Sequence, residues 1–448
     1  MSIAGWVALA LLAAASRILL APRYLYHFDA ANFALAIEEF NPALHQPQPP
    51  GYPLFVGMLR LLHAVLLDPQ HSLIAAGVVG SGLALLLLKL LGDRMFGSPA
   101  GALAVAAMVF HPAFWFGGVT NQVRVWMAVC SVAVALLAWR AMQPGRQMAW
   151  FLGACGALGM LAGFRPAIAV QLMPLLGFVW WRTGAGFRQG ALGGGVLGVS
   201  MLPWILAAAA ATGGLPQWLQ AMWGYANEQF QDSSLAFGAA PKGAWQMFRQ
   251  AFVWNLLGVL SWIWMLPLLR GNPFSRLQGT FLAVWFLPVF LFSALIHIGD
   301  PDQALGSIPA TCVAGGAVLA AGVPRLRLAP VAALVAGLNV LLFFAPPGRL
   351  ARACSYQAVH RIDLRTRLVL SRIRDVRGTG ARCIDYEASV PTWRQVGYYF
   401  PSDYVRVGGR ESFLLHGNRR LPAGATADCA LRVRVTADGN LVELMSTR

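Results

Sequence analysis

Apolar blocks long enough to cross a bilayer, about 17–25 residues each, recur along the chain from Ile3 to Ala345, and a more polar stretch then runs to Arg448. Their edges predict spans at 3–21, 72–91, 100–117, 121–139, 148–163, 166–181, 191–211, 250–269, 277–296, 304–322 and 328–345. More spans follow the first block, and it lacks a good small-residue cleavage site, so it reads as a retained anchor rather than a signal peptide. "GYPLFVGMLRLLHAVLL" is apolar but short, and Arg60 and His63 interrupt it. It reads as a helix lying on the membrane surface, which makes 22–71 one long loop. A second long loop, 212–249, contains "PQWLQAMWGYANEQFQ", whose tryptophans and tyrosine suit the headgroup zone.

The stretch from Pro346 is different material. In "SYQAVHRIDLRTRLVLSRIRDV", Val359, Ile362, Val369, Ile373 and Val376 recur at helical spacing. "ARCIDYE", "QVGYYFPSDYVRV", "SFLLHG" and "CALRVRV" read as short strands broken by glycine, proline and aspartate. Residues 346–448 are therefore expected to form a small α/β domain behind a membrane domain, 1–345.

Composition agrees: 57% of residues are hydrophobic and 12% charged, against about a quarter charged in soluble domains. The net charge of +16 raises the question of nucleic acid, but its distribution answers no. Half of the 34 cations lie after Pro346 beside nine acids, and the rest are scattered singly or in pairs between apolar blocks. Alternate connections hold Lys89, Arg94, Arg140, Arg146, Arg182, Arg188, Arg270, Arg276, Arg325 and Arg327 against the lone acid Asp93. The other set balances six cations with eight acids. The positive-inside rule puts the first set in the cytoplasm. The N-terminus is then cytoplasmic, and the loops 22–71 and 212–249 and the tail domain are external.

Cys130, Cys155 and Cys312 fall in spans and read as packing residues, whereas Cys354, Cys383 and Cys429 lie in the external tail. Cys383 and Cys429 both sit in strand-like segments and could pair; the odd third thiol leaves the pairing open. No metal-ligand spacing occurs, and the reading carries no metal site.

Polar groups at membrane depth or at its rim are costly and mark function. On the external side these are Arg17, His27, Asp29, Glu38, Glu39, His45, Gln46, Arg124, Arg165, His297, Asp300, Asp302 and Gln303. Acids and arginines together suit a site that activates a hydroxyl and holds a phosphate. Asp29 fits two roles, a general base or a cap for the helix "AANFALAIEEF". Arg165, in "LAGFRPAIA", fits donor-phosphate binding or snorkelling to the headgroups; Arg17 and Arg124 are further candidates of that kind. His45 fits a phosphate contact or a structural hydrogen bond, and Tyr52 a sugar pocket or an interfacial anchor.

A first span, a long external loop with Asp29 in "YHFDAANFALA", then His45, Pro49, Pro50 and Tyr52 in "HQPQPPGYPLF" before an amphipathic helix resembles the GT-C superfamily. "LLLLKLLGDRMFG" is similar to that family's charged exit from its second span. Within it, the protein O-mannosyltransferase, aminoarabinose transferase and RgtA/B/C/D-like group is the nearest match. Asp29 is followed by Ala30 where the family often has a second acid, and the proline cluster carries an insertion. The resemblance implies a polytopic α-helical fold of about 11 spans and an inverting glycosyltransferase working from a polyprenyl-phosphate sugar, the lipid-linked sugar being co-substrate rather than cofactor. It implies Asp29 as catalytic base, and Arg17, His45, Gln46, Tyr52, Arg124, Arg165, His297, Asp300 and Gln303 as donor or acceptor ligands. "HIGDPDQALGSIP" occupies the place of another external loop that carries polar ligands in the family. The acceptor would be a glycan, lipid or protein hydroxyl. A transporter or lipid-carrier flippase, and a non-catalytic envelope assembly factor, are the alternatives. A transporter is expected to show broken helices at mid-membrane, whereas these polar groups gather at one face.

Overall fold

The structure, a computed structural model, describes residues 3–120, 122–231, 234, 237–238, 240–377, 383–387, 389–407, 410–416, 419–420, 431–435 and 442–446. It is a helical membrane protein. Helices α1 (Ile3–Leu20), α2 (Phe28–Glu38) and α3 (Pro53–Leu66) precede the long α4 (Pro69–Phe96). α5 (Ser98–Val109) and α6 (Pro112–Thr120) form one apolar unit bent by 58°, where Pro112 interrupts the helical ladder. α7 (Gln122–Ala141), α8 (Gln147–Leu161), α9 (Ala167–Arg182) and α10 (Phe187–Thr212) follow, then α11 (Leu215–Phe230) and α12 (Pro241–Leu256). α13 (Arg276–Leu295), α14 (Ile308–Gly322) and α15 (Leu328–Phe344) complete the bundle. Among the described residues α4, α7, α10 and α13 are long and apolar enough to cross a membrane alone, and α1, α8, α9, α14 and α15 are apolar but shorter.

The expected span 250–269 is not one helix. α12 stops at Leu256, and 3-10 segments Leu257–Ser261 and Ile263–Leu268 continue it. Pro267 lies inside the second and has no N–H to extend an α-helical ladder, while the Ser261 hydroxyl donates to the Gly258 carbonyl at 2.7 Å.

Apolar side chains gain little by leaving lipid for protein, so close contact and hydrogen bonds must hold such a bundle. A Cβ built on Gly92 of α4 would stand 2.7 Å from the Gly101 Cα of α5. The two backbones touch there. Trp285 Nε1 donates to Ser131 Oγ at 2.7 Å, which donates to the Gly306 carbonyl at 2.5 Å, tying α13, α7 and the 301–306 turn. The surface helix expected from "GYPLF…" is α3, with Phe55, Val56 and Leu59 buried and Leu61, Val65 and Leu67 largely exposed.

After α16 (Gly348–Arg352), α17 (Tyr356–Arg377) leads into a mixed sheet of order β4-β3-β2-β1-β5-β6. Its strands are β1 (Cys383–Tyr386), β2 (Tyr404–Val407), β3 (Arg410–His416), β4 (Arg419–Arg420), β5 (Leu431–Val435) and β6 (Val442–Ser446). β1 is parallel to β2 and to β5; the outer pairs are antiparallel. Parallel neighbours need a crossover, and α18 (Trp393–Tyr399) provides it between β1 and β2. This corrects the strand expected at "QVGYYF": the Thr392–Gln395 capping box starts a helix there. Val369, Leu370 and Ile373 of α17 pack with Ile384, Tyr386, Val396, Phe400 and Val405 as the core of this α/β unit. Cys383 is disulfide-bonded and Cys354 is a free, buried thiol, while Cys429 lies outside the described residues.

The tail sits on the first long loop. Asp363 Oδ1 accepts from the backbone N–H groups of Arg23 and Tyr24, Tyr399 Oη accepts from Leu25 N–H, and Gln395 Nε2 donates to the Leu25 carbonyl. Arg394, 1% exposed, donates to Asn32 Oδ1 at 2.8 Å and to the carbonyls of Leu44 and His45 at 3.0 and 3.2 Å.

Candidate active site

α2 carries Asp29 in its first turn, with Ala30–Ile37 buried behind it. Its N-cap is His27, without a side-chain cap, and a carboxylate early in the helix suits the positive end of the dipole. At the other end Arg60 donates from Nε to the Ile37 carbonyl and from Nη2 to that of Ala36, satisfying groups a helix end leaves open. The chain then doubles back through an Asn41–Gln46 bridge. His45 and Tyr52 sit in the left-handed region, with φ of 56° and 50°. That conformation is uncommon outside glycine and persists only where surroundings enforce it. Here they do: Arg394 holds the His45 carbonyl, and Tyr52 is wedged against Phe33.

Above this loop lies a cavity of about 910 Å³, lined by His27, Phe28, Asp29, His45, Arg124 and Tyr225, by Glu228, Gln229, His297, Gly299, Asp300 and Gln303, and by Ser389, Thr392, Trp393 and Val407 of the tail. Arg124 rises into it from the first turn of α7. Its Nη2 is 3.2 Å from Asp29 Oδ2 and 3.9 Å from Asp300 Oδ2. Its Nε and Nη1 have no hydrogen-bond partner among the described residues, although Arg124 is only 4% exposed. Two buried donors without acceptors are costly. They mark a place for an anion.

Arg165, at the α8–α9 junction, has its guanidinium 5.9 Å above the Tyr52 ring and an unpartnered Nε. Burial, and then the nearby Arg124 charge, push it below the usual arginine range. Asp302 is fully buried, neither of its carboxylate oxygens has a partner among the described residues, and burial raises it to about 7 even though Arg124 opposes the shift. His297, against Phe230, is lowered to about 4 by burial and by both arginines. Tyr225 is pushed up by burial. Among the described residues no group of three or more His, Cys, Asp or Glu could hold a metal ion.

Seven of the ten residues expected at the site thus meet: Asp29, His45, Arg124, His297, Asp300 and Gln303 line the cavity, and Arg165 couples to its arginine and acid. Tyr52 stands beneath Arg165 as a buried support. Arg17 does not join them. It is fully buried within the bundle, where its Nη1 and Nη2 donate to Ala13 and Val109 carbonyls, so it serves helix packing. Gln46 is also fully buried, outside the cavity lining, and its backbone closes the loop onto Asn41. The sequence does not single out Phe28, Tyr225, Glu228, Trp393 or Arg394, and it offers Asp302 as a polar group at the rim without a role. The Thr392–Gln395 capping box was the one signal that α18 existed; nothing local tells that Arg394 reaches back to Asn32.

No protein-family model matches the sequence, and no functionally curated protein does. Solved structures do match. ArnT from Cupriavidus metallidurans bound to undecaprenyl phosphate superposes with a TM-score of 0.56 at 17% identity, over 85% of this chain and 73% of that one. The apo state of the same protein gives 0.54 at 16% identity, over 82% and 69%. The likeness shows the fold alone: this chain shares the helical architecture of that structure.

Proposed function

We propose that the protein is an inverting glycosyltransferase that takes a sugar from a polyprenyl-phosphate-linked donor and passes it to a hydroxyl of a glycan, lipid or protein at the outer face of the cytoplasmic membrane. The observation that carries this reading is the Asp29–Arg124 pair in the cavity, with two further donors of the same arginine unpartnered among the described residues. The undecaprenyl phosphate bound by the structural neighbour supports it.

In this mechanism Arg124 and Arg165 take the donor phosphate, whose charge relieves the repulsion between them. Asp29 accepts the proton of the acceptor hydroxyl as its oxygen bonds the anomeric carbon. The carbon–oxygen bond to phosphate breaks on the opposite face, and its electron pair leaves with the lipid phosphate. That leaving group is a stable anion, so a strong general acid is unnecessary. His45, His297, Asp300 and Gln303 orient sugar and phosphate. The cation asymmetry supports a cytoplasmic N-terminus and an external tail.

The test is reconstitution in proteoliposomes with the radiolabelled polyprenyl-phosphate sugars of a native membrane extract. Release of lipid phosphate together with transfer of label is expected from the parent and not from Asp29→Asn. Equal transfer by both proteins overturns the mechanism; translocation of label without any transfer overturns the enzyme reading in favour of a flippase.

A further inference from the structure

The cavity lining mixes charges and rings. Arg124 is its one arginine among the described residues and pairs with Asp29 and Asp300. Three aromatic rings, Phe28, Tyr225 and Trp393, line it as well, with the carboxylate of Glu228. Resting on the glycosyl-transfer reading above, we propose that the part of the cavity bounded by Trp393 is the acceptor subsite, and that Trp393 is a stacking platform for a sugar ring of a carbohydrate-bearing acceptor.

Trp393 opens α18 and packs against Phe28 and Arg394. Its ring meets Phe28 edge-on at 5.2 Å, the side chain next in sequence to Asp29. Arg394, the next residue, is buried and fixed by three hydrogen bonds to the first loop, and its guanidinium lies 5.9 Å from the Trp393 ring centre. Thr392 Oγ1 accepts from Gln395 N–H, and Gln395 Oε1 accepts from Thr392 N–H. A ring this firmly held yet only partly covered loses little entropy on binding a ligand. Across the cavity, Tyr225 and Glu228 are three residues apart on α11 and share one face; Tyr225 packs edge-on against His45 at 5.6 Å.

Aromatic faces beside carboxylates match a molecule with an apolar C–H face and a rim of hydroxyls. A pyranose is such a molecule: its C–H face packs on the indole, and its hydroxyls donate to Glu228 and Asp300. An acyl chain gains nothing from carboxylates, which would lose water without receiving a hydrogen bond. The tail domain is thus part of the acceptor site rather than an appendage.

The experiment is saturation-transfer NMR on the full chain in nanodiscs, with maltotriose and cellotriose as sugar probes and the peptide Ala-Thr-Ala as control. Irradiating aromatic protons of the parent should saturate ring protons of at least one sugar and none of the peptide. Trp393→Ala should raise the sugar dissociation constant about tenfold, the scale of one lost aromatic contact, and Trp393→Phe, which keeps an aromatic face and the fold, should recover most of it. No saturation of either sugar by the parent, stronger saturation of the peptide, or equal sugar binding by Trp393→Ala and parent each overturns the proposal. The two readings fail separately. Trp393-dependent sugar contact without transfer from any polyprenyl-phosphate donor defeats the enzyme reading alone, whereas active transfer with sugar binding indifferent to Trp393 defeats the platform alone.

Discussion

Asp29 Oδ2 and Arg124 Nη2 lie 3.2 Å apart, joining the first loop to the first turn of α7 across 95 positions of sequence. The pair sets a carboxylate beside a guanidinium whose Nε and Nη1 have no hydrogen-bond partner among the described residues. Asp29→Asn retains shape and removes charge and basicity. Transfer should fall by roughly 10²–10⁴-fold, the range for loss of a general base, with protein level and lipid-donor binding preserved. Glu38→Gln, on the exposed end of α2, should stay close to the parent. A fully active Asp29→Asn protein in the proteoliposome assay removes Asp29 from the chemistry.

Arg165 offers a second test. Arg165→Ala should raise the donor KM more than it lowers kcat, because a phosphate contact formed in the ground state is lost. Arg165→Lys should recover part of the effect, since it restores charge without the planar fork. Two variants that both use donor like the parent would return Arg165 to a snorkelling anchor.

Acid response should show two opposing groups. Asp302, raised to about 7, binds a proton in the folded protein that the unfolded chain releases near 3.8, so its contribution to stability declines as pH rises from about 4 to 7. His297, lowered to about 4 from 6.5, works in reverse: its contribution is present above 6.5 and is lost as pH falls toward 4. Between pH 4 and 6.5 the parent's melting temperature should therefore change little from these two groups. His297→Gln should unmask a decline with rising pH, and Asp302→Asn a rise. Melting in detergent across that range decides; two variants with the parent's profile would contradict the assignment.

The cysteines divide cleanly. Cys383 should resist alkylation until reduced, and Cys354, buried and free, should react only after denaturation. Reduction should destabilise the tail by about 2–5 kcal/mol. Differential alkylation and peptide mapping read both, and labelling of Cys383 without reductant refutes the first.

Orientation is open to direct chemistry. In intact spheroplasts, Ser371→Cys on the exposed face of α17 should label with an impermeant maleimide, and Arg188→Cys should not. The reverse pattern would invert the topology.

Most of the bundle was legible in the sequence because a span announces itself by apolar length, and α3 by its interrupting Arg60 and His63. The segment 250–269 was not, because hydropathy does not tell that α12 stops at Leu256 and gives way to 3-10 turns. Asp29, Arg124, His297 and Asp300 could be singled out as polar groups at the rim of apolar blocks. Their meeting could not be read from any local pattern. Arg17 could not be told apart for the same reason: a lone arginine near a helix end looks identical whether it faces a cavity or carbonyls of its neighbours. Trp393 and Arg394 were invisible because their meaning lies in a contact 362 positions away, at Asn32.

That distance has a consequence in time. The ribosome releases His45 early and Arg394, 349 positions later, only after roughly 20–70 s at about 5–20 residues per second. Until then the Arg394 hydrogen bond to the His45 carbonyl is missing, and the left-handed turn lacks that brace. A chain halted before Arg394 therefore carries its first loop without the three hydrogen bonds that fix it to α18.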